Sequence, residues 1–144
     1  MADRTDPYRG YNYRVEIGGI IVGGFSEASG LDSSQDPIEY RDGTDELHAR
    51  KLPGLNKSAN ISLKRGITDD TKLWEWRQKC IDGKVDRQNG TIILINDARE
   101  DKIRWEFVNG WPTKYTGPSL NATGNAVAIE TLDIAHEGLK RVKA

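Results

Sequence analysis

The strongest constraint on the fold is a regular alternation of apolar and polar residues in several short segments, with helical periodicity in only one. Residues 11–17, 59–63 and 103–107 alternate in this way, which predicts half-buried strands. Residues 92–95 form a continuous apolar run, typical of a strand covered on both faces. About seven strands follow one another without a strand–helix rhythm, so we expect a mostly β fold, an antiparallel β-sandwich or barrel.

A single helix is predicted over about residues 69–82. Leu73, Trp76 and Cys80 recur at the spacing of one helix face, and Trp74 flanks it. Thr68, Asp69 or Asp70 can cap its start, and Gly83 supplies a stop. We expect at least one of the two tryptophans to be buried.

The remaining segments are predicted to be irregular, within one domain covering residues 1–144. Residues 41–57 are rich in charges, glycine and proline and predict a long loop or flexible hairpin tip. A loop of this length inside a compact domain is usually functional. Residues 109–125 predict a long connection, residues 126–136 a last strand, and Lys140, Arg141 and Lys143 a short basic tail.

Composition excludes several classes of function. There are 21 basic and 22 acidic residues, a net charge of -1, which argues against a domain that grips nucleic acid by bulk charge. Cys80 is the sole cysteine, so no internal disulfide can form, and its place in the helix predicts burial. The N-terminus lacks the apolar stretch of a signal peptide, so we expect synthesis in the cytoplasm without a signal peptide, and no membrane insertion.

No residue pattern demands catalysis, a metal or a cofactor. His48 and His136 are the only histidines, and their spacing from Cys80 does not match a zinc site. A small hydrolase would need a converging nucleophile and base, and the sequence has no Gly-x-Ser-x-Gly motif. We therefore expect no enzymatic activity and no cofactor. The main alternative is a β-sandwich binding or adaptor module with an aromatic-lined pocket, for which Trp105, Trp111 and Tyr115 are the candidates.

Three groups of segments resemble the tail tube protein family of contractile phage tails and phage-tail-like extracellular contractile injection systems. The first comprises residues 13–17 (YRVEI) and 24–31 (GFSEASGL). The second comprises residues 51–55 (KLPGL), 60–66 (NISLKRG) and 73–76 (LWEW). The third comprises residues 111–118 (WPTKYTGP), 128–130 (AIE) and 135–138 (AHEG). Together they span nearly the whole chain in the order of the family.

The resemblance implies a structural subunit of an inner tube and assigns roles to particular residues. Hexameric rings would stack into a hollow conduit, and strands of neighbouring subunits would join into a ring-wide β-barrel that leaves no open sheet edge. The strand from Ser58 to Lys64 is the candidate lining of the lumen, through Ser58, Asn60, Ser62 and Lys64; an ordinary outer face of a sandwich is the alternative. The predicted subunit and ring-stacking contacts are Asp42, Glu46, Arg50, Lys51, Leu52, Pro53 and Leu55.

The resemblance also implies partners and a location. The expected partners are further copies of the chain, a contractile sheath protein, baseplate or hub and terminator proteins, and luminal cargo, a tape-measure protein or DNA. The subunit would be incorporated into a phage tail or phage-tail-like particle that lysis releases.

Overall fold

The computed structural model describes residues 8–10, 12–18, 20–22, 25–40, 43 and 50–144. The elements in this part of the chain are β1 (Tyr13–Ile17), β2 (Ile20–Val22), β3 (Phe25–Ser29), β4 (Ser33–Tyr40), β5 (Arg50–Ser58), β6 (Ile61–Gly66), α1 (Lys72–Ile81), β7 (Gln88–Ile95), β8 (Asp101–Thr116), β9 (Ile129–Ala135) and β10 (Leu139–Lys143). Neighbouring strands pair antiparallel. The prediction of a mostly β, antiparallel fold with one helix is confirmed.

The 16-residue strand β8 takes part in two sheets. Its first part pairs with β7 on one side and β10 on the other, and β7 continues through β1 to β2; we call this group sheet A. Residues 111–116 of β8 pair with β9, which continues through β6 to β3; we call this group sheet B. Among the residues that the structure describes, strands β4 and β5 pair only with each other.

The hydrophobic core lies between the two sheets. Sheet A contributes Val15, Ile17, Ile92 and Phe107, and sheet B contributes Ile61, Leu63, Leu132 and Ile134. Phe107 fills the space over two glycines. A Cβ atom on Gly90 would lie 2.3 Å from its ring, and one on Gly110 would lie 2.5 Å from it. These glycines are therefore required by close packing.

Helix α1 completes the core with Leu73 and Trp76. Trp76 is 8% exposed, whereas Trp74 is 42% exposed, so the prediction that at least one of them is buried is confirmed. The indole N–H of Trp76 donates to the carbonyl oxygen of Asp86 at 2.7 Å, which gives its buried polar atom a partner. Gly83 ends the helix with φ of 82°.

A buried ion pair links sheet B to the start of the helix. Arg65 on β6 and Glu130 on β9 are 4% and 6% exposed, and Arg65 Nε donates to Glu130 Oε1 at 2.5 Å. The Tyr115 hydroxyl donates to Glu130 Oε2 at 2.6 Å. Arg65 also bonds the carboxylate and the backbone oxygen of Asp70 at 3.2 and 3.1 Å. Each charge therefore has several partners, as a buried pair requires.

Burial and the hydrogen bond to Glu130 raise the pKa of Tyr115 to about 12. The backbone N–H of Lys72 donates to Asp70 Oδ1 at 3.0 Å, and this bond, with the Arg65 guanidinium, lowers the pKa of Asp70. Asp70 therefore carries its charge at the start of the helix, where the helix dipole also favours it.

Several predicted boundaries are wrong. The predicted loop over 41–57 contains β5, which begins at Arg50; residues 41, 42 and 44–49 lie outside the described part. The predicted strand from Ser58 to Lys64 is in fact two elements, because Ser58 ends β5 and β6 begins at Ile61. The helix begins at Lys72 and ends at Ile81, shorter than the predicted 69–82.

Two segments predicted to be irregular are strands. Residues 109–116 continue β8, although Asn109 has a positive φ of 51° and a register shift occurs between Pro112 and Lys114. The predicted basic tail forms β10, whose residues pair with β8, and the last predicted strand is confined to Ile129–Ala135. Cys80, predicted to be buried, is only partly buried.

Candidate assembly surfaces

Strands β4 and β5 form a two-stranded arm outside the two sheets. Ser33 pairs with Ser58 at one end of the arm, and Tyr40 pairs with Arg50 at the other. Every residue of the arm is exposed except Gly54, which is half-buried. An isolated two-stranded hairpin is marginally stable in water, so an arm of this length is a candidate contact surface.

One face of the arm carries an apolar stripe, which we define as Ile38, Tyr40 and Leu52. Ile38 pairs directly with Leu52, and Tyr40 follows Ile38 by two residues, so all three side chains lie on one face. Their exposed fractions are 53%, 49% and 49%. Arg50 pairs with Tyr40 and adds a cation on the same face.

A bulge shapes the middle of the arm. The register shifts by one residue between the pairs Gln35–Asn56 and Pro37–Pro53, so β5 has one extra residue there. Gln35 Nε2 donates to the Gly54 carbonyl oxygen at 2.7 Å, and a Cβ on Gly54 would lie 2.6 Å from the backbone oxygen of Asp36. Leu55, beside Gly54, is 84% exposed.

The base of the arm is fixed to the two sheets. Gly30, with φ of 86°, lies so close to Asn60 that a Cβ would come within 2.0 Å of its carbonyl oxygen, so only glycine fits this turn. His136 Nδ1 accepts the Gly138 N–H at 3.2 Å. Its Nε2 is 3.1 Å from the Ala59 carbonyl oxygen, so the neutral ring carries its proton on Nε2 and donates there. These contacts hold both chain segments at the base of the arm against the body.

The solvent side of sheet B, on which Trp111 and Ile129 also lie, carries a set of polar side chains that we call the polar face. The core residues Leu63 and Leu132 point inward, and their sequence neighbours therefore point outward. The members are Glu27, Ser29, Ser62, Lys64, Lys114, Thr116, Thr131 and Asp133. Two acidic and two basic residues among them cancel, and Lys64 Nζ lies 3.6 Å from Glu27 Oε2.

The predicted luminal residues divide between three elements. Ser62 and Lys64 lie on the polar face, Asn60 is exposed in the connection before β6, and Ser58 is exposed at the end of the arm. The luminal residues predicted from the sequence did not include Asp133 and Thr131, which pair with Ser62 and Lys64, or Lys114, which pairs with Asp133. The alternation of apolar and polar residues in β9 could have predicted that Thr131 and Asp133 lie together on the outward face of that strand.

Those predicted contact residues that the structure describes all lie on the arm. Arg50, Lys51, Leu52, Pro53 and Leu55 lie on β5 and are exposed. Asp42 and Glu46 lie outside the described residues.

The aromatic residues of the alternative binding module do not converge on one pocket. Trp105 lies in the sheet A part of β8 and borders a cleft of about 320 Å³ between β7 and β3, which neither Trp111 nor Tyr115 lines. Tyr115 pairs with the core residue Leu132, whereas Trp111 pairs with Ala135, which places them on opposite faces of sheet B. Tyr115 is also held by Glu130 and by the ring of Trp74, whose centroid is 5.0 Å away. The adaptor alternative is therefore not favoured.

The described residues hold neither a metal-binding cluster nor a membrane-spanning helix. No group of three or more histidine, cysteine, aspartate or glutamate side chains there could hold a metal ion. Within the same residues, no helix has the length and apolar character needed to cross a membrane.

Comparison with solved structures finds strong similarity to proteins of contractile injection systems. A chain in the cryo-EM structure of an extracellular contractile injection system, the PVC sheath–tube complex in the extended state, is 34% identical with a TM-score of 0.87; the match covers 96% of this chain and 93% of that one. A chain in the anti-feeding prophage cap, the AFP tube-terminating cap, is 32% identical with a TM-score of 0.91, over 100% of this chain and 96% of that one.

A more distant relative shares the fold alone. Hcp1 from Flavobacterium johnsoniae is 17% identical with a TM-score of 0.59, over 91% of this chain and 94% of that one. Comparison with curated protein sequences gives no match. The family model described as T4-like virus tail tube protein gp19 matches residues 9–140, nearly the whole chain. The family model thus matches nearly the whole chain, and two chains of contractile injection structures are more than 30% identical to it over almost their full length. This chain therefore belongs to the tail tube protein family and is a tube subunit of a contractile injection system.

Proposed function

We propose that copies of this chain close a ring by pairing the two free edges of sheet B, and that the rings stack into the inner tube of a contractile injection particle. The observation that carries the proposal is the edge pattern of sheet B. Within the described residues, β3 pairs only with β6, and residues 111–116 of β8 pair only with β9. Pro112 suits such a position, because proline within sheets is confined to edges and bulges.

The edges of sheet A are less suited to ring closure. Strand β2 has three residues, and β10 carries Lys140, Arg141 and Lys143. Short strands and lysine-rich strands are the usual means by which proteins protect an exposed edge from pairing. Closure through sheet B would leave sheet A on the outside of the ring.

Closure through sheet B directs the polar face at the lumen. The wall would then present mainly serine, threonine and balanced charges, with Trp111 and Ile129 on the same face. It would include the predicted luminal residues Ser62 and Lys64, with Ser58 and Asn60 at the end near the arm. A wall without net charge neither attracts nor repels a charged cargo over a long range. This property suits a conduit through which luminal cargo, a tape-measure protein or DNA must pass without sticking.

The arm would supply contacts between subunits and between rings, through Arg50, Lys51, Leu52, Pro53 and Leu55 and the predicted Asp42 and Glu46. The relatives come from structures titled as a sheath–tube complex, a tube-terminating cap and a sixfold-symmetrised baseplate. By analogy, this chain forms sixfold rings whose partners are a contractile sheath, a baseplate or hub and a terminator. The subunit works by assembly and passive conduction, without enzymatic turnover or cofactor, inside a phage tail or tail-like particle that lysis releases.

Hydrogen–deuterium exchange tests the ring closure. Assembled tubes and unassembled chain are compared by mass spectrometry, with negative-stain microscopy to verify rings. Amides of β3 and of residues 111–116 should exchange more slowly in tubes, because inter-subunit hydrogen bonds would cover them. Unchanged exchange of both edges in verified tubes would contradict the proposal, as would a failure to form rings when the chain is coexpressed with its sheath and baseplate.

Cysteine labelling tests the luminal assignment. In a Cys80→Ser background, Ser62→Cys is compared with Val85→Cys, since Val85 is exposed in the turn after α1. In tubes, a small maleimide should label both sites, whereas a maleimide carrying a long polyethylene glycol chain should label Val85→Cys much faster. Equal rates for the bulky reagent would place Ser62 outside the lumen.

A further inference from the structure

The two ends of the sandwich are closed to different extents. At the end where β8 finishes, helix α1 covers the core with Leu73 and Trp76. The Trp74 ring holds the helix there, with its centroid 5.0 Å from that of the Tyr115 ring. At the opposite end, the described residues leave a cleft of about 320 Å³ between β3 and sheet A. We call it the open-end cleft and define it by its apolar lining: Tyr13, Ala28, Leu31, Ile92, Leu94 and Trp105.

The open-end cleft offers mainly apolar surface to an occupant. Ile92 is buried and the other lining residues are half-buried, so solvent still reaches them. Of the described residues that border the cleft, only Glu27 is charged. The Tyr13 hydroxyl donates to the Phe25 carbonyl oxygen at 3.0 Å, so its polar atom already has a partner. The cleft therefore favours an uncharged, apolar occupant, because a charged group would lose its hydration there.

The connection between β8 and β9, residues 117–128, differs in composition from the rest of the chain. It contains no Asp, Glu, Lys or Arg, although these residues make up 30% of the chain. Leu120 and Val127 within it are 83% and 75% exposed, so their own subunit does not bury them. An uncharged connection of this length that holds large apolar side chains in water indicates a contact surface.

A local turn orders the chain next to Leu120. The Asn121 side-chain oxygen accepts hydrogen bonds from the N–H and the hydroxyl of Thr123 at 3.1 and 2.9 Å. The Asn121 carbonyl oxygen accepts the Gly124 N–H at 3.2 Å. Because these bonds are made within the connection itself, Leu120 is presented to a partner with little further loss of conformational entropy.

The connection and the open-end cleft lie at opposite ends of the long strands. The connection begins where β8 ends, whereas Trp105, which borders the cleft, lies near the start of β8. The strand from Trp105 to Thr116 spans roughly 35 Å when straight. Strand β6 has the same orientation, because it ends beside the connection at Gly66 and its start pairs with the end of β3, just before Leu31. One subunit therefore carries the two surfaces at its two ends.

These positions decide which copies of the chain can meet. In a ring closed through sheet B, the strands run between the two faces of the ring with a tilt of about 35–45°, and the same ends of all subunits lie level. A connection therefore cannot reach the cleft of a neighbour in its own ring. Stacking brings one face of a ring against the opposite face of the next, and two different surfaces that meet in this way form a contact that repeats without closing.

We infer that Leu120 of one subunit enters the open-end cleft of a subunit in the adjacent ring, and that this contact stabilises stacking independently of the arm. The inference rests on the proposed ring closure and adds to it a second stacking contact. An apolar cavity of about 150 Å³ accommodates benzene, so the cleft has room for a leucine side chain. The connection carries no charge, so docking removes no charge of its own from water.

Residues 1–7 are the competing occupant, because Gly10, which follows them closely in sequence, borders the cleft. They include Asp3, Arg4 and Asp6, and transfer of these charges into an apolar cleft would be costly. The uncharged connection is the better match.

Disulfide crosslinking tests the docking directly. In a Cys80→Ser background, Leu120→Cys is combined with Leu31→Cys. The matched control combines Leu120→Cys with Val108→Cys, since Val108 is exposed on β8 outside the cleft. Tubes are assembled under reducing conditions and then oxidised. The first variant should give a ladder of covalent multimers that extends well beyond the subunits of one sixfold ring, because each subunit is joined to one above and one below. The control should give no such ladder.

Three other results would overturn the inference. A ladder that ends at the size of one ring would mean that the connection docks within its own ring. Tubes without any ladder would mean that the connection does not reach the cleft, and the proposed ring closure would stand. Leu31→Cys that reacts with a small maleimide only after residues 1–7 are removed would show that the N-terminus occupies the cleft. Failure of the proposed function would look different, because the wild-type chain would then form no rings.

Substitution of Leu120 provides an independent test, because a side chain that is 83% exposed can be changed without unfolding the subunit. Leu120→Asp should leave rings in negative stain and lower the fraction of subunits in tubes by about tenfold or more, since the lost contact recurs at every subunit of a ring face. Leu120→Met keeps an apolar side chain of similar volume and should form tubes like the wild type. Circular dichroism of both variants verifies the fold. Tubes of normal number and length from Leu120→Asp would contradict the inference.

Discussion

Replacement of Glu130 by alanine should destabilise the unassembled subunit by about 3–5 kcal/mol, the cost of leaving one charge of a buried pair without its partner. Arg65 would keep the Asp70 carboxylate, which is 37% exposed and therefore a weaker substitute. The Tyr115 hydroxyl would lose its acceptor as well. For a chain of this length, the loss corresponds to a decrease in Tm of roughly 6–20 °C.

A double-mutant cycle isolates the pair from other effects of truncation. Arg65→Met combined with Glu130→Leu removes both charges and keeps most of the volume. Replacing both members of a buried ion pair by apolar residues often leaves the free energy of unfolding unchanged or raises it by about 1–4 kcal/mol. The double variant should therefore be more stable than either single variant.

The assay is thermal and urea unfolding of unassembled chain, because assembly would add its own stabilisation. Glu27→Ala is the matched control. Its partner Lys64 is 43% exposed and Glu27 itself 55%, so the loss should stay below about 1 kcal/mol. Two results would refute the reasoning. One is an equal loss of unfolding free energy for Glu130→Ala and Glu27→Ala; the other is a double variant whose loss equals the sum of the losses of the two single variants.

Three further changes test the core and the network. Trp76→Ala should cost about 3–5 kcal/mol because the ring is buried, and Trp74→Ala clearly less because that ring is 42% exposed; equal shifts in urea midpoint would contradict this. Gly110→Ala should cost about 1–3 kcal/mol through the clash with Phe107, and Phe107→Leu in the same chain should recover part of it; a Gly110→Ala melt like that of the wild type would show that the ring can move aside. Because folding raises the pKa of Tyr115 to about 12, its protonated form contributes stability fully below about pH 10 and loses it as the pH rises toward 12. Tyr115→Phe should therefore show a smaller loss of stability than the wild type across pH 10–12, and parallel curves would contradict the shift.

The elements predicted best are those in which local pattern and tertiary environment agree. The alternation in residues 13–17 and 103–107 and the apolar run at 92–95 all lie in strands of sheet A. The spacing of Leu73 and Trp76 correctly identified the buried face of α1. In these segments the side chains that reach the core are apolar, so hydrophobic periodicity directly indicates the type of secondary structure and its buried face.

The strands that were missed are those whose pairing outweighs unfavourable local sequence. Gly110 and Pro112 indicate a connection, yet β8 continues because Gly110 makes room for Phe107 and pairing with β9 holds the rest. In β10, Lys140, Arg141 and Lys143 give no burial signal, because they lie at a solvent-exposed edge.

The predicted contact segment has a different secondary structure from the one expected. The family resemblance predicts that residues 50–55 make subunit contacts, and their sequence predicts a loop or flexible hairpin tip. They form a strand instead, which the pattern does not show because a strand exposed on both faces has no core to impose alternation. The buried pair of Arg65 and Glu130 could not be foreseen, since charged residues are rarely fully buried and their partnership spans 65 residues of sequence.

Strand β8 has a mechanical consequence that follows from its membership in both sheets. Residues 101–110 and 111–116 are joined by a continuous backbone, so tension on the second part is carried to the first through covalent bonds. The two layers also share one hydrophobic core, so they should melt together as one cooperative unit.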